Sequence, residues 1–158
     1  MTAALRRSVE SGSVFGLERA AHCLAEVLPP WVQDLGLVIE KVEAVKPHGA
    51  PDDWLPGALL RLPFALRNCR DSIVVCGPAL MALADSAMSL ACAAAWNGYR
   101  PMTPIDQTTH FLRPVSFDVL ADARVVRTGR TTSFTRVSLL SATDRRPVGI
   151  VSAAYAML

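Results

Sequence analysis

The chain has 158 residues, of which 51% are apolar and 19% charged, and a formal net charge of +2 at neutral pH. That length suits one domain with one sizeable core, and the apolar fraction excludes a disordered or collagen-like chain. The near-neutral charge and scattered arginines form neither block nor stripe, so no nucleic-acid partner is expected.

Residues 1–13 are small and polar and read as a flexible tail before a single domain over residues 14–158. They lack the apolar run of a secretory signal, which points to a cytoplasmic protein. From Val14 to Leu28 apolar residues recur at helical spacing, and Pro29 and Pro30 stop the helix. Leu35 to Val45 and Leu59 to Leu66 read as strands, with a loop from Pro47 to Pro56 between them.

The longest helix is expected from Gly77-Pro78 to Asn97-Gly98. Proline is suited to a helix start, and glycine to the position just past a helix end. Its pattern is apolar nearly all round, as in a helix enclosed by the rest of the fold. The stretch Ala79 to Trp96 carries Asp85, Ser86 and Ser89 and is short for a bilayer, so no membrane span is expected.

Beyond it the period changes to that of strands: Met102 to Val115, Phe117 to Arg127, Thr132 to Ser141 and Pro147 to Met157, joined by short turns. Close spacing predicts an antiparallel meander. Together the elements predict an α+β domain, a curved antiparallel sheet wrapped around a long central helix. Cys23, Cys69, Cys76 and Cys92 lack a Cys-x-x-Cys spacing, and His22, His48 and His110 lie far apart. Reduced thiols and no metal site are expected.

Asp85 is the only charged residue between Asp71 and Arg100. A carboxylate inside an apolar helix costs several kcal/mol unless it is paired or serves chemistry, so it is either a general base or nucleophile or a structural anchor. The Cys76-Gly77-Pro78 entry is the second candidate. Free amides at a helix start can stabilise an oxyanion, and glycine lets a carbonyl come close. Cys76 could also act as a nucleophile, although no histidine lies near it in sequence.

The run from Cys76 to Met88 resembles the signature of the phenylacetate-pathway, or PaaI-like, hotdog thioesterases. In that family a His-Gly-Gly tripeptide opens the central helix and an acid follows eight residues after its first glycine; Gly77 and Asp85 fall on those positions. Phe111-Leu112-Arg113-Pro114, the strand Ala121 to Val126 and the Gly129-Arg130 turn resemble its later motifs, so the likeness runs from about Leu35 to the C-terminus.

The resemblance implies a hotdog fold and hydrolysis of an acyl-CoA thioester. Asp85 would be base or nucleophile and the Gly77 amide the oxyanion donor. It implies a homodimer or homotetramer with the acyl-CoA site between protomers, and no cofactor, CoA being part of the substrate. This chain departs from the pattern at Cys76 (for His), Pro78 (for the second Gly) and Arg70, which stands where a helping Asn often lies. Pro104 occupies the place of a water-holding Thr or Ser, so Thr103 serves only if Pro104 marks a bulge. Arg70, Arg113, Arg127 and Arg130 are candidates for CoA contacts, arginine matching phosphate bidentately. The lost motif residues leave two further readings: a protein on this fold that binds acyl-CoA or another acyl ligand without turnover, and a dehydratase or hydratase, for which no histidine stands beside the acid.

Overall fold

The computed structural model describes residues 13–71 and 73–158, so the expected tail lies outside the described residues except for Ser13. Helix α1 spans Leu17–Val27, and a single turn α2 follows at Pro30–Gln33. Pro30 does more than stop α1. At the first position of α2 its missing N–H is not needed, so it starts a new turn.

Strands β1 (Val38–Glu43) and β2 (Gly57–Leu62) form an antiparallel pair. Strand β2 begins and ends earlier than its apolar run suggests. A Cβ at Gly57 would stand 2.2 Å from the Ala123 carbonyl oxygen, so only glycine lets the strand lie flush against its neighbour there. Leu66 leaves the sheet for a 3₁₀ turn at Leu66–Asn68. Two short strands, β3 (Cys69–Arg70) and β4 (Val74–Val75), form a separate ribbon that leads into α3, Gly77–Ala95.

Strands β5 (Met102–Phe111), β6 (Val119–Thr128), β7 (Thr132–Ser141) and β8 (Pro147–Met157) complete a six-stranded antiparallel sheet ordered β1-β2-β6-β7-β8-β5. The meander therefore holds only for β6, β7 and β8. Strand β5 pairs with the far side of β8 and forms an edge of the sheet. It ends at Phe111 rather than Val115, because the next two amides, of Leu112 and Arg113, both turn onto the Val148 carbonyl.

Strand β7 shows how the core is made: Ser133, Thr135, Val137, Leu139 and Ser141 are buried while Phe134, Arg136 and Ser138 face outward. Against that inner face α3 packs chiefly over β2 and β6, then β7 and β1. Leu60, Leu83, Leu90 and Leu139 are fully buried, each contributing on the order of 2 kcal/mol. The helix is long and apolar enough to cross a membrane by length and composition, yet 72% of that stretch is buried within the fold.

One stripe of α3 escapes that burial. Pro78, Met81, Asp85 and Ser89, three or four residues apart on one helical face, are exposed or half-buried and lie toward the β5 side. The helix stops in a Schellman turn: the Asn97 amide bonds Ala94 O at 3.2 Å and the Gly98 amide bonds Ala93 O at 2.8 Å. The left-handed residue is Asn97, at φ 55°, and not Gly98. Its side chain then accepts a hydrogen bond from the Phe15 amide at 2.7 Å, and its carbonyl one from Arg19 at 3.0 Å, fastening α1 to the end of α3.

Candidate active site

The entrance of α3 is positioned by the ribbon before it. Cys76 is the N-cap, in extended backbone, with no side-chain hydrogen bond to the first turn, and its own amide bonds the Asn68 carbonyl at 2.9 Å. Gly77 is the first helical residue, where an N–H has no intrahelical partner. Pro78 brings no N–H. The first turn thus presents the Gly77 amide with the positive end of the helix dipole behind it. The ring of Phe111 lies against Gly77. Together with Arg70, Cys76, Leu80 and Arg113 they line a groove of about 500 Å³. Asn68 behind this entrance is buried, and its Nδ2 has no hydrogen-bond partner among the described residues.

Two turns further on, Asp85 opens onto a second groove of about 600 Å³. Its apolar walls are Trp31 from α2, Pro78 and Met81 from α3, and Pro104 and Ile105 from β5, with Asp106 and Gln107 on the same strand. Gln107 donates to the Met81 carbonyl at 3.4 Å. Asp85 is half-buried rather than enclosed. From the sheet beneath it, Tyr155 on β8 donates its hydroxyl to Asp85 Oδ1 at 2.7 Å. Tyr155 is 1% exposed. Burial first, and then the facing Asp85 carboxylate, hold its phenol far above the ordinary tyrosine range, so it is a protonated donor.

Neither Tyr155 nor Trp31 stands out by local pattern. For Tyr155 the signal was its place in register with Val151 and Ala153 on the buried face of β8, where a hydroxyl needs a polar partner.

The other candidates are distributed unevenly. Arg70 and Arg113 share the groove of Gly77 and Cys76. Arg127 and Arg130 are exposed around the β6–β7 turn and line neither groove. That turn lies toward the other end of α3, where Cys92 Sγ meets Ser133 Oγ at 3.4 Å. Thr103 is opposite Ala156, whereas Pro104 is opposite Tyr155. Paired residues share a face, so Pro104 looks toward the helix and Thr103 away from it. A bulge does follow Pro104, but it falls on Ile105, too late to turn Thr103.

All four cysteines are free thiols. Burial pushes Cys92 up to about 11, and burial with Glu26 nearby does the same for Cys23, so both stay protonated near neutrality. Among the described residues no three His, Cys, Asp or Glu side chains gather as a metal site.

The model of the Thioesterase superfamily matches residues 74–148, which include α3 and the strands β4 to β7. The chain is similar in structure to PaaI from the E. coli phenylacetic acid degradation operon: 20% identity, TM-score 0.70, covering 89% of this chain and 94% of that one. The chain has a hotdog fold. A phenylacetic acid degradation protein PaaI from Thermus thermophilus superposes with a TM-score of 0.64 at 24% identity, over 82% of this hotdog chain and all of the other. AziG of S. sahachiroi gives 0.67 at 21% identity, over 83% and 98%. No match is found among curated proteins. In hotdog terms α3 is the central helix, Gly77 opens it, and Asp85 faces out along its uncovered stripe.

Proposed function

We propose that this protein hydrolyses an acyl-CoA thioester to a free acid and CoA, with Asp85 as the base or nucleophile. The observation that carries the reading is the placing of Asp85: a carboxylate on an otherwise uncharged helix, one oxygen held by Tyr155, opening onto an apolar-walled groove. In the base form, Asp85 takes a proton from water as the water oxygen bonds to the thioester carbon. The Gly77 amide receives the developing negative charge on the carbonyl oxygen. When the tetrahedral species collapses, the carbon–sulfur bond breaks and the proton passes to the departing CoA thiolate. No cofactor enters these steps; CoA belongs to the substrate.

Gly77 and Asp85 of one chain are eight residues apart, about 12 Å along the helix, too far to share one carbonyl. The site is therefore read as composite, with Gly77 contributed by a second copy of the chain. Two features favour a homodimer: β5 offers an unpaired sheet edge with Ile105 exposed, and the stripe beside it on α3 is uncovered. A tetramer would pair two such dimers. Arg70 and Arg113, beside Gly77, are the arginines best placed for the polar part of CoA.

A second reading is binding of an acyl-CoA or other acyl ligand without turnover. The turning of Thr103 away from Asp85 favours it, since no hydroxyl at that position holds a water for attack. A panel of acyl-CoAs, from acetyl to long-chain and aromatic, with release of free thiol as readout, tests both. Hydrolysis is expected, with kcat falling by about 10²–10⁴ in Asp85→Asn at an unchanged melting temperature. A rise in melting temperature with acyl-CoA and no thiol release would instead establish binding alone.

A further inference from the structure

Among the described residues Asp85 has one hydrogen-bonding partner from the sheet, and that partner is fully enclosed. Tyr155 reaches up from β8, with Val151 and Ala153 beside it on the same inner face, all three buried. Strand β8 is paired on both sides: Tyr155 faces Ser133 of β7 and Pro104 of β5. Its backbone is therefore fixed from two directions, and its ring cannot turn without opening the core. The hydroxyl also bonds Ser89, one turn below Asp85 on the uncovered stripe. The other polar groups nearby are engaged elsewhere. Tyr99, half-buried beyond the helix end, feels the Asp85 carboxylate through charge and bonds the backbone at Met102. Asp106 on β5 is turned to the Ala154 amide at 3.2 Å, and Gln107 to the Met81 carbonyl.

We infer that Tyr155 is a positioning residue for the reaction: its hydroxyl pins Asp85 Oδ1 and so presents Oδ2 to the groove. An unpinned Asp85 on a half-exposed helical stripe would sample several rotamers, each aiming the carboxylate differently. Held at one oxygen by a donor on a rigid strand, the side chain keeps one. Tyr155 touches no reacting atom; it acts through Asp85. The inference rests on the reading of Asp85 as the catalytic carboxylate.

The test removes the hydroxyl alone. Tyr155→Phe keeps the ring in the core, and kcat and KM for thioester hydrolysis are measured on the 158-residue chain. The expected result is a fall in kcat of about 10- to 100-fold, the worth of one hydrogen bond to a charged group, at unchanged KM. On an Asp85→Asn background the same substitution should lower kcat no further, because the two residues act as a unit. Should Tyr155→Phe fold poorly, 3-fluorotyrosine incorporated into a Tyr99→Phe protein supplies a stronger hydrogen-bond donor in the native fold, and kcat is expected to change at unchanged KM; an unmoved kcat there would count against the inference. A Tyr155→Phe enzyme with a lowered melting temperature but unmoved kcat would overturn the inference while leaving the Asp85 reading intact. An Asp85→Asn enzyme with undiminished turnover would overturn both.

Discussion

The ring of Phe111 on β5 rests on Gly77 at the start of α3, its Cζ 3.2 Å from the point where a Cβ would stand. Phe111 is 51% exposed, so its ring can swing outward by the few tenths of an ångström that a methyl group would require. Gly77→Ala is therefore expected to fold with a melting temperature near that of the parent. Turnover is expected to suffer, since the added methyl and the displaced ring crowd the amide that a thioester oxygen must reach. Loss of one oxyanion donor is worth about 10²–10³ in kcat, which sets the upper end of the fall. Calorimetry and thiol-release kinetics on one preparation separate the two effects.

A composite site makes a sharper demand. Asp85→Asn and Gly77→Val subunits, each inactive alone, are expected to regain activity when co-expressed as mixed dimers. One of the two sites in such a dimer takes its carboxylate from one subunit and its glycine amide from the other, both intact. The ceiling is about half the parental rate per dimer, since the other site carries both lesions. Mixed dimers isolated by two affinity tags that stay inactive would place both groups in one chain and refute the shared site, as would a stable monomer with full activity.

The arginines divide by position. Arg70→Ala and Arg113→Ala, in the groove of Gly77, are expected to raise KM for acyl-CoA about tenfold with kcat little changed, because ground and transition states share the contact. The effect should shrink with pantetheine thioesters, which lack the nucleotide phosphates. Arg127→Ala and Arg130→Ala, at the β6–β7 turn, are expected to leave KM unchanged. The reverse pattern would put the phosphates at the other end of the helix.

Asp118 governs part of the acid stability. The Phe64 amide first, at 2.8 Å, and then Arg61 at 3.2 Å hold its carboxyl below the ordinary value of 3.8. A depressed folded value means that the stabilisation is present above the unfolded value and is lost as pH falls through the folded one. With the side chain 37% exposed the contribution is small, about 0.5–1 kcal/mol after screening. Asp118→Asn is thus expected to lower the urea midpoint at pH 7, with the gap closing as the pH is taken below the ordinary carboxylate range. A gap that stays constant down to strong acid would show that the carboxylate charge is not involved.

The legible parts of this chain are those whose physics is local. Strands β7 and β8 have the bounds their alternation predicts, Thr132–Ser141 and Pro147–Met157, because each buries one face and leaves the other wet. The start of α3 is legible in Gly77-Pro78 and its stop in Asn97-Gly98, although the left-handed residue there is Asn97, because asparagine can take that turn as glycine does. What could not be read depends on pairing between distant segments. Nothing in Met102 to Phe111 tells whether the strand will sit beside β6 or β8. The two-residue strands β3 and β4 are too short to show a period. At the site, Asp85 announced itself as a lone charge in an apolar run. Tyr155, 70 residues away, looks in sequence like one more strand aromatic until the fold brings it underneath. Thr103 failed to reach the groove through a single residue of register, a quantity set by where the bulge falls.

The fastening of α1 to Asn97 has a consequence for how such a protein could change. Trp31, a wall of the Asp85 groove, stands on α2, just past the helix that Asn97 ties down through Phe15 and Arg19. The carboxylate and its tyrosine stand on α3 and β8, and the bond between them involves nothing from that leading segment. Reactive machinery and pocket contour are thereby held by different stretches of the polypeptide. A substitution at Trp31 or in the tether at Asn97 redraws the cavity wall and leaves the Asp85–Tyr155 pair where it was, so the width of the pocket can drift while its chemistry stays still.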